Sequence, residues 1–368
     1  MLQSIISTGA TSRADIARAT DLTPATVSDI VADLVEETIV KKLGTGPSGG
    51  GKPPTLFGLN ADARSIVAVD LSDGGQTGSV MLLDGTTTHG STRHQQAPGG
   101  ETGVEAVISI VDQLVSLAPS PLLGIGIGTP GVVNASGVVV EAPNLGWRNV
   151  DLRSRVTAHF DHPVHVVNDS SAAALAEYSF GTVDTSSYVV LKIGDGVGAS
   201  VMLDGRIHGG SHNAAGEVGH VSIDATGARC RCGRRGCLET VASAPKIAQR
   251  LRERLGIASG DMQGVFTDAS TRATAHDDEA IKALAGIAES IATVLSTTVA
   301  VLDVHHVILS GPLESLGDVF LELLKSAVSR RVLPRLGDNL VITYGQEPDR
   351  AVRLGATAFV INRELGVA

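Results

Sequence analysis

All three cysteines of the chain, Cys230, Cys232 and Cys237, fall within eight residues. His220 lies ten positions before the first, and Glu239 two positions after the last. Four soft or borderline ligands grouped this closely suit a tetrahedral zinc ion. Gly219, Gly233 and Gly236 let the backbone wrap tightly around it. A Cys230–Cys232 disulfide would span one residue and be badly strained. Three cysteines cannot all pair within one chain. Four protein ligands leave no open coordination position, so the spacing predicts a structural Zn2+, not a hydrolytic one.

These ligands need a scaffold, and the composition supplies one. The chain has 368 residues, 43% hydrophobic and 3% aromatic, enough for two or three cored domains. Its net charge of −10 repels nucleic acid as a whole, so any DNA contact must come from a local patch. No apolar run approaches the length of a membrane span, and the N-terminus does not read as a signal peptide. A cytoplasmic location is expected, which suits reduced, metal-bound cysteines.

Residues 1–60 read as a winged helix-turn-helix. Leu2, Ile5 and Ile6 form one short apolar face. Ser12 to Asp15 resembles a capping box opening a second helix that ends near Ala19. Asp21-Leu22 makes the turn, then Thr23 caps a third helix with Pro24 at its first position. Val27, Ile30, Val31, Leu34 and Val35 make its amphipathic stripe. In such a module the N-terminal residues of the third helix, here Ala25, Thr26 and Ser28, reach base edges. A hairpin follows, with strands at 39–42 and 55–58 and a Gly-rich tip carrying Lys52 and Pro53, suited to a wing along the minor groove. Arg13, Lys41, Lys42 and Lys52 are the candidate basic contacts. Five Lys/Arg against six Asp/Glu in this segment predict modest, salt-sensitive binding. The competing reading is a trihelical packing module that never touches DNA.

The remainder reads as a duplicated α/β body. The segment 65–71, a Gly-bearing turn and 78–85 recur in design as 187–193, a turn and 199–205, with Ser-Val-Met-Leu at both 79–82 and 200–203. Helices are expected at about 101–118, 171–180, 243–255, 278–301, 313–330 and 350–364. Strands are expected near 122–128, 137–140, 163–167, 305–309 and 340–344. This mixture predicts two α/β lobes with a cleft between them, against the alternative of one doubly wound domain.

The motifs together resemble the ROK family (repressor, open reading frame, kinase), in its repressor branch. They are the helix-turn-helix with its Gly-Gly-Gly-Lys-Pro wing, Gly126-Ile-Gly-Thr-Pro-Gly131, Pro143-Asn-Leu-Gly-Trp147, Val167-Asn-Asp169, Ala215-Gly-Glu-Val-Gly-His220 and the run Cys230 to Glu239. The resemblance implies two actin-like lobes. The first is expected over 61–170, completed by a C-terminal helix at about 350–368, and the second over 171–349 with the zinc loop at 217–239. It implies zinc on His220, Cys230, Cys232 and Cys237, and a sugar or sugar phosphate held by Asn144, Asn168, Asp169, Glu217, His220 and Glu239. Carboxylates suit alternating sugar hydroxyls because each accepts several charge-assisted hydrogen bonds. His220 would use one ring nitrogen for zinc and the other for the sugar.

The chain departs from the family's kinases on the nucleotide side. Ser72, Asp73, Asp195, Ala199 and Pro312 stand where phosphate-cradling turns carry Gly or Thr. At an effective dielectric of about 20, each carboxylate facing a polyphosphate costs on the order of a few kcal/mol. The expectation is therefore no catalytic residue and no kinase. In the alternative, Asp169 would be the general base of a sugar kinase. The expected function is a sugar-responsive repressor of carbohydrate-metabolism genes, a homodimer or tetramer on operator DNA. A regulator controlled by a protein partner is the third possibility.

Overall fold

The computed structural model describes residues 2–47, 53–72, 75–95, 100–258 and 260–367. Lys52 and Asp73 lie outside the described residues. At the N-terminus, helices Leu2–Thr8, Arg13–Thr20 and Pro24–Glu36 pack on a small sheet of Thr11–Ser12, Thr55–Leu59 and Val40–Thr45. The caps form as the sequence implies. Ser12 Oγ accepts from the Asp15 N–H at 3.2 Å while Asp15 accepts from the Ser12 N–H, and Thr23 Oγ1 accepts from the Thr26 N–H at 3.2 Å. Asp21 takes the left-handed turn, φ 54°. Ile5, Ile16, Val27, Val31 and Phe57 form the core of this unit.

Two five-stranded sheets follow, and they share one topology. The first contains, in chain order, Ser65–Asp70, Gly75–Leu82, Thr87–Gln95, Leu122–Thr129 and Val164–Asn168. The second contains Tyr188–Ile193, Val197–Leu203, Arg206–Ile207, His306–Ser310 and Val341–Tyr344. In both, the spatial order is third, second, first, fourth, fifth. In each sheet the two pairings among the first three strands are antiparallel, and the two that join the first strand to the fourth and the fourth to the fifth are parallel. The two Ser-Val-Met-Leu copies occupy the second strand of each sheet. The repeat in sequence is thus a repeat in structure.

Helix Asp169–Phe180 begins two residues before the expected 171 because Asn168 caps it, its Oδ1 accepting from the Ser171 N–H at 3.0 Å. This helix packs on the C-terminal helix Ala351–Leu365, with Ala172, Ala176, Val352 and Ala356 in one apolar cluster. The backbones approach so closely that a Cβ at Gly355 would fall on the Ala172 carbonyl. The far side of the C-terminal helix places Val360 and Ile361 in the same cluster as Ile16, Val27 and Val31. The N-terminal unit and the α/β body are therefore joined by shared apolar packing.

Several elements differ from expectation. Helix Met262–Thr274 and edge strand Thr87–Gln95 were not anticipated. The expected helix 313–330 splits into a 3-10 turn at Pro312–Leu316 and a helix at Gly317–Ser329. The expectation that no apolar run approaches membrane length is also corrected. Helix Asp278–Leu302 is long and apolar enough by composition. Leu284, Ile287, Ile291, Leu295 and Val299 bury its face in the core of the second sheet, which accounts for that apolarity.

Glu177, on the helix beginning at Asp169, is a carboxylate buried by design of the packing. Burial raises its pKa to about 7, although the Gln346 N–H donates to it at 2.8 Å. A carboxyl raised above its unfolded value binds its proton more tightly when folded, so its contribution to stability falls as pH rises from about 4.5 to about 7. Glu177→Gln should raise stability at pH 8 by roughly 1–3 kcal/mol and change little at pH 5. Thermal melts at both pH values check this; a variant less stable at pH 8 contradicts it.

Candidate functional site

Parallel strands open a crevice at their carboxyl ends, and the polar residues collect there. Strand Val164–Asn168 delivers Asn168 and then Asp169. Strand Leu122–Thr129 leads through Pro130 and Gly131 to a small sheet, Val132–Val133, Val139–Ala142 and Trp147–Val150, whose turn presents Asn144. The second sheet contributes Lys192 and the turn around Asp195. The segment between Ile207 and Glu239 contributes Glu217, His220 and Arg231. Together they line a cleft of about 440 Å³. All six residues proposed from the sequence for sugar contact lie on it: Asn144, Asn168, Asp169, Glu217, His220 and Glu239.

His220, Cys230, Cys232 and Cys237 also come together, their ligand atoms all within 4.8 Å of one another. A tetrahedral ion with about 2.3 Å bonds to sulfur and about 2.0 Å to nitrogen puts sulfurs about 3.8 Å apart and sulfur and nitrogen about 3.6 Å apart. Cys232 Sγ and Cys237 Sγ stand 3.7 Å apart, and Cys230 Sγ lies 3.6 Å from His220 Nδ1. The donor set therefore fits a metal ion. Burial pushes the Cys230 thiol up to about 12, a cost that a cation would offset. The loop closes tightly here: Gly236 has φ 64°, and a Cβ would collide with the Asp224 carbonyl.

The metal cluster and the cleft share residues. His220 turns Nδ1 to Cys230 and Nε2 towards Glu217, 3.8 Å from its Oε2. Glu239 places Oε1 3.8 Å from Cys230 Sγ and accepts from the Val197 N–H through Oε2 at 3.2 Å. Arg231, between two ligand cysteines, donates to Asn144 Oδ1 across the cleft at 3.2 Å. Burial, with the negative charges of Asp169, Glu239 and Glu141, raises the Glu217 pKa to about 7. Near neutrality it can donate as well as accept, which suits a hydroxyl ligand.

Sequence reasoning missed Lys192. Its Nζ lies 3.2 Å from Asp169 Oδ2, with side chains only 7% and 12% exposed. Asp169 Oδ1 accepts from the Ser170 N–H at 2.8 Å and from Asn168 at 3.3 Å. The available signal was one lysine inside the otherwise apolar strand Tyr188–Ile193. Of the nucleotide-side departures, Ser72 and Asp195 line the cleft. Ala199 is buried in strand Val197–Leu203, and Pro312 opens a 3-10 turn.

On the N-terminal unit, Ala25 and Thr26 are exposed at the start of helix Pro24–Glu36, and Ser28 is half-buried. Lys41 and Lys42 are exposed on strand Val40–Thr45. Arg13 is half-buried with its guanidinium stacked 4.6 Å over the Phe57 ring.

Comparison with known proteins agrees with this architecture. The xylose repressor of Caldicellulosiruptor bescii is 31% identical, the match covering 98% of this chain and 94% of that protein. The glucokinase of Halalkalibacterium halodurans is 34% identical, but over only 60% of this chain and 70% of its own length. Among solved structures, a ROK family transcriptional regulator described as a homolog of E. coli MLC superposes with a TM-score of 0.82, at 23% identity over 100% of this chain and 96% of that one. A match to the ROK family model spans residues 60–363, the whole α/β body that holds the cleft and the cysteine cluster; the chain belongs to the ROK family.

Proposed function

We propose that this chain is a cytoplasmic, sugar-responsive transcriptional repressor of carbohydrate-metabolism genes. It acts as a homodimer on operator DNA, with a structural zinc ion and no kinase activity. One observation carries the reading: a polar interlobe cleft and a winged-helix unit are joined through one helix, Ala351–Leu365, which packs on the Asp169 helix and shares the N-terminal core. The full-length likeness to a protein named as a xylose repressor supports it.

In this reading the sugar lies against Asn144, Asn168, Asp169, Glu217, His220 and Glu239. It favours one spacing of the lobes. The Asp169 helix passes that preference to the C-terminal helix and so to the paired DNA heads. Operator affinity changes only as far as sugar discriminates between the two arrangements. Ala25, Thr26 and Ser28 would face bases, and Lys41 and Lys42 phosphates. Zinc on His220 and the three cysteines would hold the loop that carries Glu217 and Glu239.

Against phosphoryl transfer stands Asp195, which lines the cleft and would repel a polyphosphate of the same sign. Asp169 already accepts from Lys192, Ser170 and Asn168, and in this reading its remaining lone pair accepts from a sugar hydroxyl.

The direct test is operator binding with and without sugar, alongside an assay for ADP release from ATP and hexoses; ADP release at steady turnover would reverse the reading. Cys232→Ser should drop bound zinc from one ion per chain to near zero and lower the melting temperature, since metal binding and folding are coupled. Full zinc content by metal analysis refutes the ligand assignment. Glu239→Ala should weaken binding of xylose or glucose about tenfold or more, the loss expected for a hydrogen bond to a charged group, yet keep sugar-free operator binding. Unchanged sugar affinity moves the site elsewhere. Lys42→Ala should reduce the salt slope of DNA binding by about one unit; an unaltered slope removes that strand from the DNA interface.

A further inference from the structure

A second pocket lies beside the cleft, and its charge is reversed. It encloses about 390 Å³, walled by strand Val164–Asn168, the Asp169 helix, the segment 207–217 and the C-terminal helix Ala351–Leu365. That volume falls within the roughly 300–1,000 Å³ of small-molecule sites. Only Asn168 and Glu217 line both spaces. The cleft carries four carboxylates, Asp169, Asp195, Glu217 and Glu239, against Lys192 and Arg231. The second pocket carries Arg153, Arg363 and His165 against Glu217 alone. A cationic lining stands out in a chain whose net charge is −10.

The two guanidiniums are positioned without being neutralised. Arg153, on helix Leu152–Thr157, lays its stem against Gly137: a Cβ there would stand 2.6 Å from Arg153 Cβ and 3.0 Å from its Cδ. Arg363 stacks 4.9 Å over the Phe359 ring. Neither arginine pairs with a carboxylate among the described residues. His165 stands at 82° to the same Phe359 ring. Its Nε2 lies 2.7 Å from Oε1 of Glu364, which does not line the pocket. The two arginines are therefore the unmatched charges of this space.

A guanidinium offers a planar fork of donors that fits phosphate or carboxylate oxygens. One carboxylate would match one fork. Two forks match a dianion, and a phosphate monoester is close to one at neutral pH. The rest of the lining suits a small hydroxylated carbon body: the Phe359 ring supplies an apolar face and Asn213 an amide.

We propose that this pocket binds a small phosphate monoester of a polyol, with Arg153 and Arg363 holding the phosphate. The site is separate from the cleft, and the proposal does not depend on what fills the cleft.

Calorimetry on the full chain at constant ionic strength tests it, with glycerol 3-phosphate, ribose 5-phosphate and glucose 6-phosphate against inorganic phosphate and gluconate. At least one ester should bind tenfold or more tighter than either control anion. Arg153→Gln and Arg363→Gln should each weaken that ester about tenfold or more, the loss expected for a hydrogen bond to a charged group. Both should leave xylose or glucose affinity unchanged. Glu239→Ala, in the cleft, should leave ester binding as it is. Esters that bind no tighter than inorganic phosphate or gluconate overturn the proposal, as does an affinity that survives both arginine substitutions. An ester lost with Glu239→Ala also overturns it, by placing the ester in the cleft. Failure of the sugar reading shows separately, as absent xylose and glucose binding in the same samples.

Discussion

A buried ammonium against a buried carboxylate, Lys192 on Asp169, decides what the cleft can do. Both groups are almost out of water. Removing either would strand the other, a loss typically worth about 3–5 kcal/mol. The pair ties the start of helix Asp169–Phe180 to the first strand of the second sheet, so it also fixes how the two sheets meet. Its two oxygens are both engaged, Oδ2 by Lys192 and Oδ1 by the Ser170 N–H, which holds the carboxylate in one orientation.

The mechanical consequences follow from where Asp169 sits. It opens the helix that packs closest to the C-terminal helix, at Ala172 and Gly355. That second helix carries Val360 and Ile361 into the core that also contains Val27 and Val31 of the third N-terminal helix. A ligand that shifts the Asp169 end therefore acts on a continuous row of packed side chains, not on a floppy tether. The cysteine cluster borders the other wall: His220 and Arg231 each line the cleft from the segment that holds the three cysteines.

Much of this was legible in the sequence because the signals were local. The cysteine cluster, the Ser12 and Thr23 caps and the two Ser-Val-Met-Leu copies depend on residues a few positions apart. The six cleft residues were read from family motifs, and the fold brings all six onto one cavity. Non-local features were hidden. The partner of Lys192 lies 23 positions away on another element, and a lone lysine in an apolar strand does not reveal it. Edge strand Thr87–Gln95 is polar along its length and lacks alternation. Helix Met262–Thr274 mixes Gly and Thr into a weak pattern, although Val265, Phe266, Ala269 and Ala273 share its buried face. Arg13 counted as a free cation in the sequence, whereas the fold stacks it on Phe57.

The structure thus joins a polar cleft, with the Lys192–Asp169 pair in its lining, to an N-terminal three-helix unit with a small sheet. The account's central claim is that ligand binding in the crevice changes DNA affinity. Fluorescence anisotropy on promoter DNA from the protein's own locus, titrated with and without saturating xylose or glucose, measures that coupling. A shift of at least about fivefold in operator affinity is expected, the lower range of allosteric coupling energies. Identical binding curves with a sugar that demonstrably occupies the cleft would contradict it.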